Sequence, residues 1–110
     1  MTELADRACV PCRGGVAPLS AAQIAPLLAQ VEAWNAVEDH HLEKTYRVQN
    51  FARALELVNR IGAIAEEQNH HPDLLLAWGR VGVKIWTHKI NGLTESDFIL
   101  AAKIDDASAN

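Results

Sequence analysis

Residues 50–86 read NFARALELVNRIGAIAEEQNHHPDLLLAWGRVGVKIW, and this stretch decides the fold. Asn50 is an N-cap residue, because its side-chain oxygen can accept from the free N–H groups of a first helical turn. Behind it Phe51, Leu55, Val58 and Ile61 recur at helical spacing, and Ala54, Leu57, Ile64 and Ala65 widen the stripe. The pattern predicts a helix to about Gln68, with an apolar arc broad enough to cover a sheet and still face another subunit. His70-His71-Pro72 stops it, since proline pushes the residue before it out of the helical region. Leu74–Trp78 reads as a short apolar strand and Gly79-Arg80 as a turn. Val81–Lys89 reads as a second strand, with Val81, Val83 and Ile85 on one face and Lys84, Trp86 and His88 on the other.

Upstream, Ser20-Ala21-Ala22-Gln23 fits a capping box, and Ile24, Leu27, Leu28 and Val31 follow at helical spacing. Pro26 lies too deep for a first turn, which predicts a kink there or a later start. Trp34–Glu38 and Leu42–Val48 read as strands, the second alternating Leu42, Tyr46 and Val48 with Glu43, Thr45 and Arg47. Downstream, Asn91-Gly92 marks a turn, and Thr94-Glu95-Ser96-Asp97 caps a last helix carrying Phe98, Leu100, Ala101 and Ile104. The order α-β-β-α-β-β-α predicts an α+β fold: a four-stranded antiparallel sheet of two hairpins with helices packed on one face. Residues 1–19, with Cys9-Val10-Pro11-Cys12-Arg13-Gly14-Gly15 and Pro18, carry breakers and no periodicity, so they read as a flexible N-terminal arm before a domain over 20–110.

The chain has 110 residues, 49% of them hydrophobic, and a formal net charge of −4. Its size suits one domain with a core that needs no disulfide or structural metal. The acidic balance leaves no electrostatic footprint for nucleic acid. The longest apolar run, Leu74–Trp78, is far short of the roughly 20 residues of a membrane span. Met1–Arg7 has no secretory character, which makes a cytoplasmic protein the expectation and free thiols the reading of the two cysteines.

The histidines carry the chemical signal, because four of the five fall in adjacent pairs. Glu66 and His70 stand at i,i+4 spacing, so on a continuing helix the carboxylate could fix one imidazole. Histidines at a helix end also suit the dipole as plain surface residues. On its strand His88 shares a face with Trp86 and Lys84, and a ring beside an imidazole suits a flat heteroaromatic ligand. The alternative there is a solvated face with one amphipathic tryptophan. One short hairpin joins this strand to His70-His71, so the three imidazoles could converge. His40-His41 reads as a solvated hairpin loop. Metal binding by His70, His71 and His88, or by the Cys9–Cys12 pair, is not expected: a second cysteine pair is missing, and sequential histidines rarely face one ion. A thioredoxin-like role for the cysteines also lacks its preceding strand.

Glu66-Glu67-Gln68-Asn69-His70-His71-Pro72, then Trp78, Thr87-His88 and Gly92-Leu93-Thr94-Glu95-Ser96-Asp97, resembles the signature of pterin-4a-carbinolamine dehydratases. The resemblance extends through Trp34-Asn35 and Asn50–Ala54 and covers roughly Ser20 to Ile104, with an N-terminal arm like that of bacterial members. It implies the same α-β-β-α-β-β-α fold. It also implies a lyase that dehydrates 4a-hydroxytetrahydrobiopterin to quinonoid dihydropterin, in tetrahydrobiopterin recycling and biosynthesis linked to phenylalanine hydroxylation. The pterin is the substrate, and no metal or other cofactor is implied. By matching position the catalytic set is His70, His71 and His88, with His70 and His88 the acid/base pair and His71 a substrate-binding histidine. Glu66, Asn69, Trp86, Thr87, Lys89 and Asp97 line or support the pocket. Asn69 replaces an aspartate of animal members and Trp86 a serine. The resemblance further implies a homodimer or homotetramer that uses the Asn50–Gln68 helix. It leaves open a non-catalytic dimerisation or coactivator module, and a role in molybdenum cofactor metabolism.

Overall fold

The computed structural model describes residues 4–10 and 16–108. The first helix, α1 (Ala21–Leu28), starts at Ser20, whose capping box with Gln23 is complete in both directions. It therefore starts where the box places it, and it runs through Pro26 to end only two residues later. Strands β1 (Asn35–Val37) and β2 (His41–Arg47) follow, then α2 (Phe51–Gln68), β3 (Asp73–Ala77), β4 (Arg80–Ile85) and α3 (Glu95–Ser108). The sheet is antiparallel throughout, in the order β1-β2-β4-β3. The expected α+β fold and element order hold.

Every strand is shifted or shortened by a residue or more against expectation, and the consequential differences lie at the two ends of β4. Arg80 pairs with Ala77, so Trp78 and Gly79 form the hairpin turn, with Gly79 in left-handed backbone (φ 77°). The predicted strand to Lys89 stops at Ile85. Beyond it Thr87 pairs with Gly92 in an isolated bridge, folding residues 88–91 into a single 3₁₀ turn. That bridge removes His88 from the sheet.

Alternation along β2 and β4 sends Leu42, Tyr46, Val81, Val83 and Ile85 into the core and leaves Thr45, Arg47, Arg80 and Lys84 to solvent. On α2 the face meeting this sheet is Ala54, Leu57, Ile61 and Ala65. The stripe read first in the sequence is displaced: Phe51 and Leu55 are 46% and 42% exposed, while Leu57 is 2% exposed. Both stripes have helical period, and docking on the sheet selects the one with the smaller alanines. Helix α3 is buried nearly all round at Phe98–Ala101, because α2 and the N-terminal segment both pack on it.

The first part of the expected flexible arm is docked. Leu4 is 2% exposed, Lys103 donates to the Ala5 carbonyl, and Cys9 packs against the core. Cys12 and the Gly14-Gly15 pair lie outside the described residues. Among the described residues, no helix is long and apolar enough to cross a membrane.

Candidate active site

Asn69 ends α2 in left-handed backbone (φ 52°), its N–H bonding back to the Ala65 and Glu66 carbonyls. This turn takes His70 off the helix, and with it the expected i,i+4 contact of Glu66 with His70. Glu66 instead accepts from Nε2 of His71. His70 swings inward, and its Nε2–H donates to Asp97 Oδ1 at 2.6 Å.

The two pairs differ sharply in environment. The His71 and Glu66 side chains are 53% and 80% exposed, so solvent screens that contact. His70 and Asp97 are 13% and 0% exposed. The Asp97 carboxylate is fully engaged, since its Oδ2 also accepts from Thr87 Oγ1 at 2.9 Å and the Thr94 N–H at 2.8 Å. Asp97 thus caps the start of α3 by accepting from the Thr94 N–H, one half of a capping box, while the Thr94 hydroxyl turns to Thr87 Oγ1 at 3.1 Å; the same carboxylate orients His70. With Nε2–H given to Asp97, the neutral His70 ring carries its lone pair on Nδ1.

These elements meet around a cavity of about 280 Å³ lined by Asn69, His70, His71, Trp86, Thr87, His88 and Lys89. One wall comes from the chain leaving α2 and the other from the segment leaving β4. His88, though off the strand, stays beside Trp86, with ring centroids 4.3 Å apart and planes at 86°. Seven of the nine residues named from the sequence line this cavity; Asp97 and Glu66 do not, and each instead bonds a histidine that does, Asp97 to His70 and Glu66 to His71. Convergent imidazoles can donate and accept protons on one small ligand, and the indole offers it a flat apolar surface.

Two features had no sequence signal. His40 and His41, read as a solvated loop, lie against Trp86 at centroid distances of 5.4 and 6.0 Å. The N-terminal segment bridges the helix ends that carry the His70–Asp97 pair: the Cys9 N–H donates to Gln68 Oε1 and the Val10 N–H to Ser96 Oγ, both at 2.9 Å. Burial raises the Cys9 thiol to about 11, with Lys103 opposing and Asp97 adding to the shift. A thiol held protonated is a poor metal ligand or nucleophile.

Residues 17–107 match a family model described as pterin 4 alpha carbinolamine dehydratase. A Rubrobacter xylanophilus protein named "Putative pterin-4-alpha-carbinolamine dehydratase" is 53% identical over 105 residues, covering 96% of this chain and 98% of its own. A Rickettsia canadensis protein of the same name is 54% identical over 106 residues, covering 96% and 97%. Among solved structures, a transcriptional coactivator/pterin dehydratase from Brucella melitensis superposes with a TM-score of 0.78 at 26% identity, over 83% of this chain and 98% of that one. A pterin dehydratase-like protein described as a RuBisCO assembly factor in the alpha-carboxysome shares the fold, with a TM-score of 0.55 at 18% identity over 64% and 81% of the two chains.

Proposed function

The chain belongs to the pterin-4a-carbinolamine dehydratase family, and from that premise we propose that it eliminates water from a 4a-hydroxytetrahydropterin to give quinonoid dihydropterin. The observation that carries the reading is the pocket in which His70, His71 and His88 converge beside Trp86. Its volume of about 280 Å³ lies at the small end of ligand pockets and suits one bicyclic ring system.

The substrate carries a hydroxyl on the carbon next to a ring nitrogen. Hydroxide is a poor leaving group, so elimination is helped when an acid protonates the departing oxygen while a base removes the proton on nitrogen. The C–O bond breaks, the C=N bond forms, and the released molecule is water. His70 and His88 are the acid/base pair in this reading, and His71 binds substrate. General acid–base assistance of this kind is typically worth about 10²–10⁴-fold. Asp97 holds His70 in one tautomer and orientation, so the ring need not be ordered during the reaction. Asn69, Thr87 and Lys89 offer polar groups to the edge of the pterin, and Glu66 steadies His71. The chemistry needs no metal or further cofactor, because both proton transfers are within reach of imidazole.

The supplier of such a substrate is an aromatic amino acid hydroxylase, and the protein then serves tetrahydrobiopterin recycling in the cytoplasm. The exposed Phe51 and Leu55 side chains on α2 suit a protein contact, which we read as self-association into a homodimer or homotetramer. The functional reading is tested by generating the carbinolamine with a hydroxylase and following its absorbance with and without the protein. Decay at the uncatalysed rate in both samples contradicts it.

A further inference from the structure

The three pocket imidazoles are not held alike. His70 and His71 each have a carboxylate fixing the ring. Among the described residues, the His88 ring has no hydrogen-bond partner, and what holds it is the edge-on face of Trp86. Trp86 lies beyond the end of β4, so the orientation of His88 depends on what holds Trp86 and the 3₁₀ turn His88–Ile90.

Beyond the core packing of Trp86 and the Thr87–Gly92 bridge, His40 touches both. Its ring packs on Trp86 with centroids 5.4 Å apart, and its Nε2 lies 2.8 Å from Asn91 Oδ1. Asn91 ends the turn that carries His88, in left-handed backbone, and its own N–H donates to the His88 carbonyl at 3.2 Å. His40 therefore reaches His88 by two routes, one through a ring and one through a hydrogen bond.

His40 is itself tied to the sheet. Its Nδ1 lies 3.0 Å from Nδ1 of His41, and His41 Nε2 lies 3.1 Å from Glu43 Oε2 on β2. The Glu43 carboxylate accepts from His41 Nε2–H, which leaves Nδ1 of neutral His41 to accept from His40 Nδ1–H. A neutral His40 that donates from Nδ1 keeps its lone pair on Nε2, so Nε2 accepts from the Asn91 side-chain NH₂, the amide being turned to present nitrogen at this contact. The turn that delivers His40 holds Glu38 and Asp39 both in left-handed backbone (φ 52° and 54°), a conformation aspartate tolerates and glutamate rarely adopts.

We propose that His40, backed by His41 and Glu43 and acting through Trp86 and Asn91, is the positioning residue of His88, as Asp97 is of His70. The inference rests on the dehydratase reading for its kinetic consequence but not for its structural one.

The test compares His40→Ala, His40→Gln and Asn91→Gly with the unmodified protein, by dehydration kinetics and by NMR of the histidine side chains. Asn91→Gly cuts the link while keeping a residue at ease in left-handed backbone, so folding does not confound it. His40→Ala is expected to lower kcat about 10-fold or more while KM stays within about 2-fold, with the limb of the pH–rate profile that reports His88 displaced. Gln, which keeps a hydrogen-bonding end, recovers part of the loss, and Asn91→Gly loses an intermediate amount. The His88 imidazole signals shift and broaden in His40→Ala, while those of His70 and His71 stay in place. Unchanged His88 signals together with unchanged kcat overturn the proposal. If the unmodified protein fails to accelerate dehydration, the functional reading falls, and the His88 signals alone decide the positioning claim: unaltered signals in both His40→Ala and Asn91→Gly overturn it.

Discussion

His70 Nε2 stands 2.6 Å from Oδ1 of Asp97, a carboxylate with no exposed surface. The contact joins the end of α2 to the start of α3 and aims one imidazole into the pocket. Asp97→Asn is expected to cut dehydration at least about 10-fold, because the amide can accept or donate toward Nε2 and no longer selects one tautomer. The amide also cannot accept from His70, Thr87 and the Thr94 N–H as the carboxylate does, so stability falls by about 1–3 kcal/mol. Chemical denaturation separates the two effects. Full activity in a folded variant would remove Asp97 from the account.

The assembly prediction turns on which stripe of α2 is exposed. Leu57 is core, so Leu57→Glu is expected to destabilise by about 3 kcal/mol or more, since it buries an unpaired charge. Leu55→Glu, on the exposed stripe, is expected to keep the fold and lower the sedimenting mass. A monomeric unmodified protein, or an unchanged mass in Leu55→Glu, contradicts self-association through this face.

Element order was legible in the sequence because capping chemistry and period mark each start and stop. Ser20 with Gln23, Asn50 and Thr94 with Asp97 all cap helices where the residues predict. The choice between two overlapping apolar stripes on α2 was not legible, since period alone does not say which face meets a sheet. Which carboxylate serves which histidine also escaped, because the left-handed backbone of Asn69 shifts the register by one residue and hands Glu66 to His71. His40 reads as a loop residue because its contact with Trp86 follows from a turn made by Glu38 and Asp39, and glutamate gives no signal for left-handed backbone. The docking of residues 4–10 rests on buried Leu4, half-buried Cys9, the Arg7–Glu95 ion pair and bonds between backbone groups and distant side chains, which leave no periodic trace.

The only tyrosine of the chain offers a spectroscopic check of the core. Tyr46 donates to Asp105, which also accepts from Trp34 Nε1 at 3.0 Å and Lys44 Nζ at 2.7 Å. Burial, then the Asp105 hydrogen bond and charge, push the phenol well above its ordinary value of 10.0. The folded state therefore binds this proton more tightly than the unfolded chain. Its contribution is fully present below about pH 10 and is lost as pH rises further. Ultraviolet titration should show no tyrosinate in the native protein near pH 10, with ionisation and unfolding appearing together at higher pH. A normal titration of the folded protein contradicts this.

Cys9 makes a further point about the N-terminal segment. Its thiol, raised from 9.0 to about 11, holds about 100-fold less thiolate at neutral pH than an ordinary cysteine. In a Cys12→Ser background, alkylation of Cys9 should be slower than that of a free thiol by a factor of that order, and denaturant should restore it. The double replacement of Cys9 and Cys12 by serine should leave dehydration intact. Rapid alkylation of the folded protein contradicts the docked position of the segment, and a large loss of activity would give the cysteines a chemical role.

The most direct measurement is the decay of an enzymatically generated 4a-carbinolamine against concentration of the purified protein, beside folded His70→Ala and His88→Ala variants. The rate should rise linearly with the unmodified protein and fall by at least about 10² in each variant. A decay independent of protein concentration, or variants as active as the unmodified protein, would contradict histidine-catalysed dehydration at this pocket.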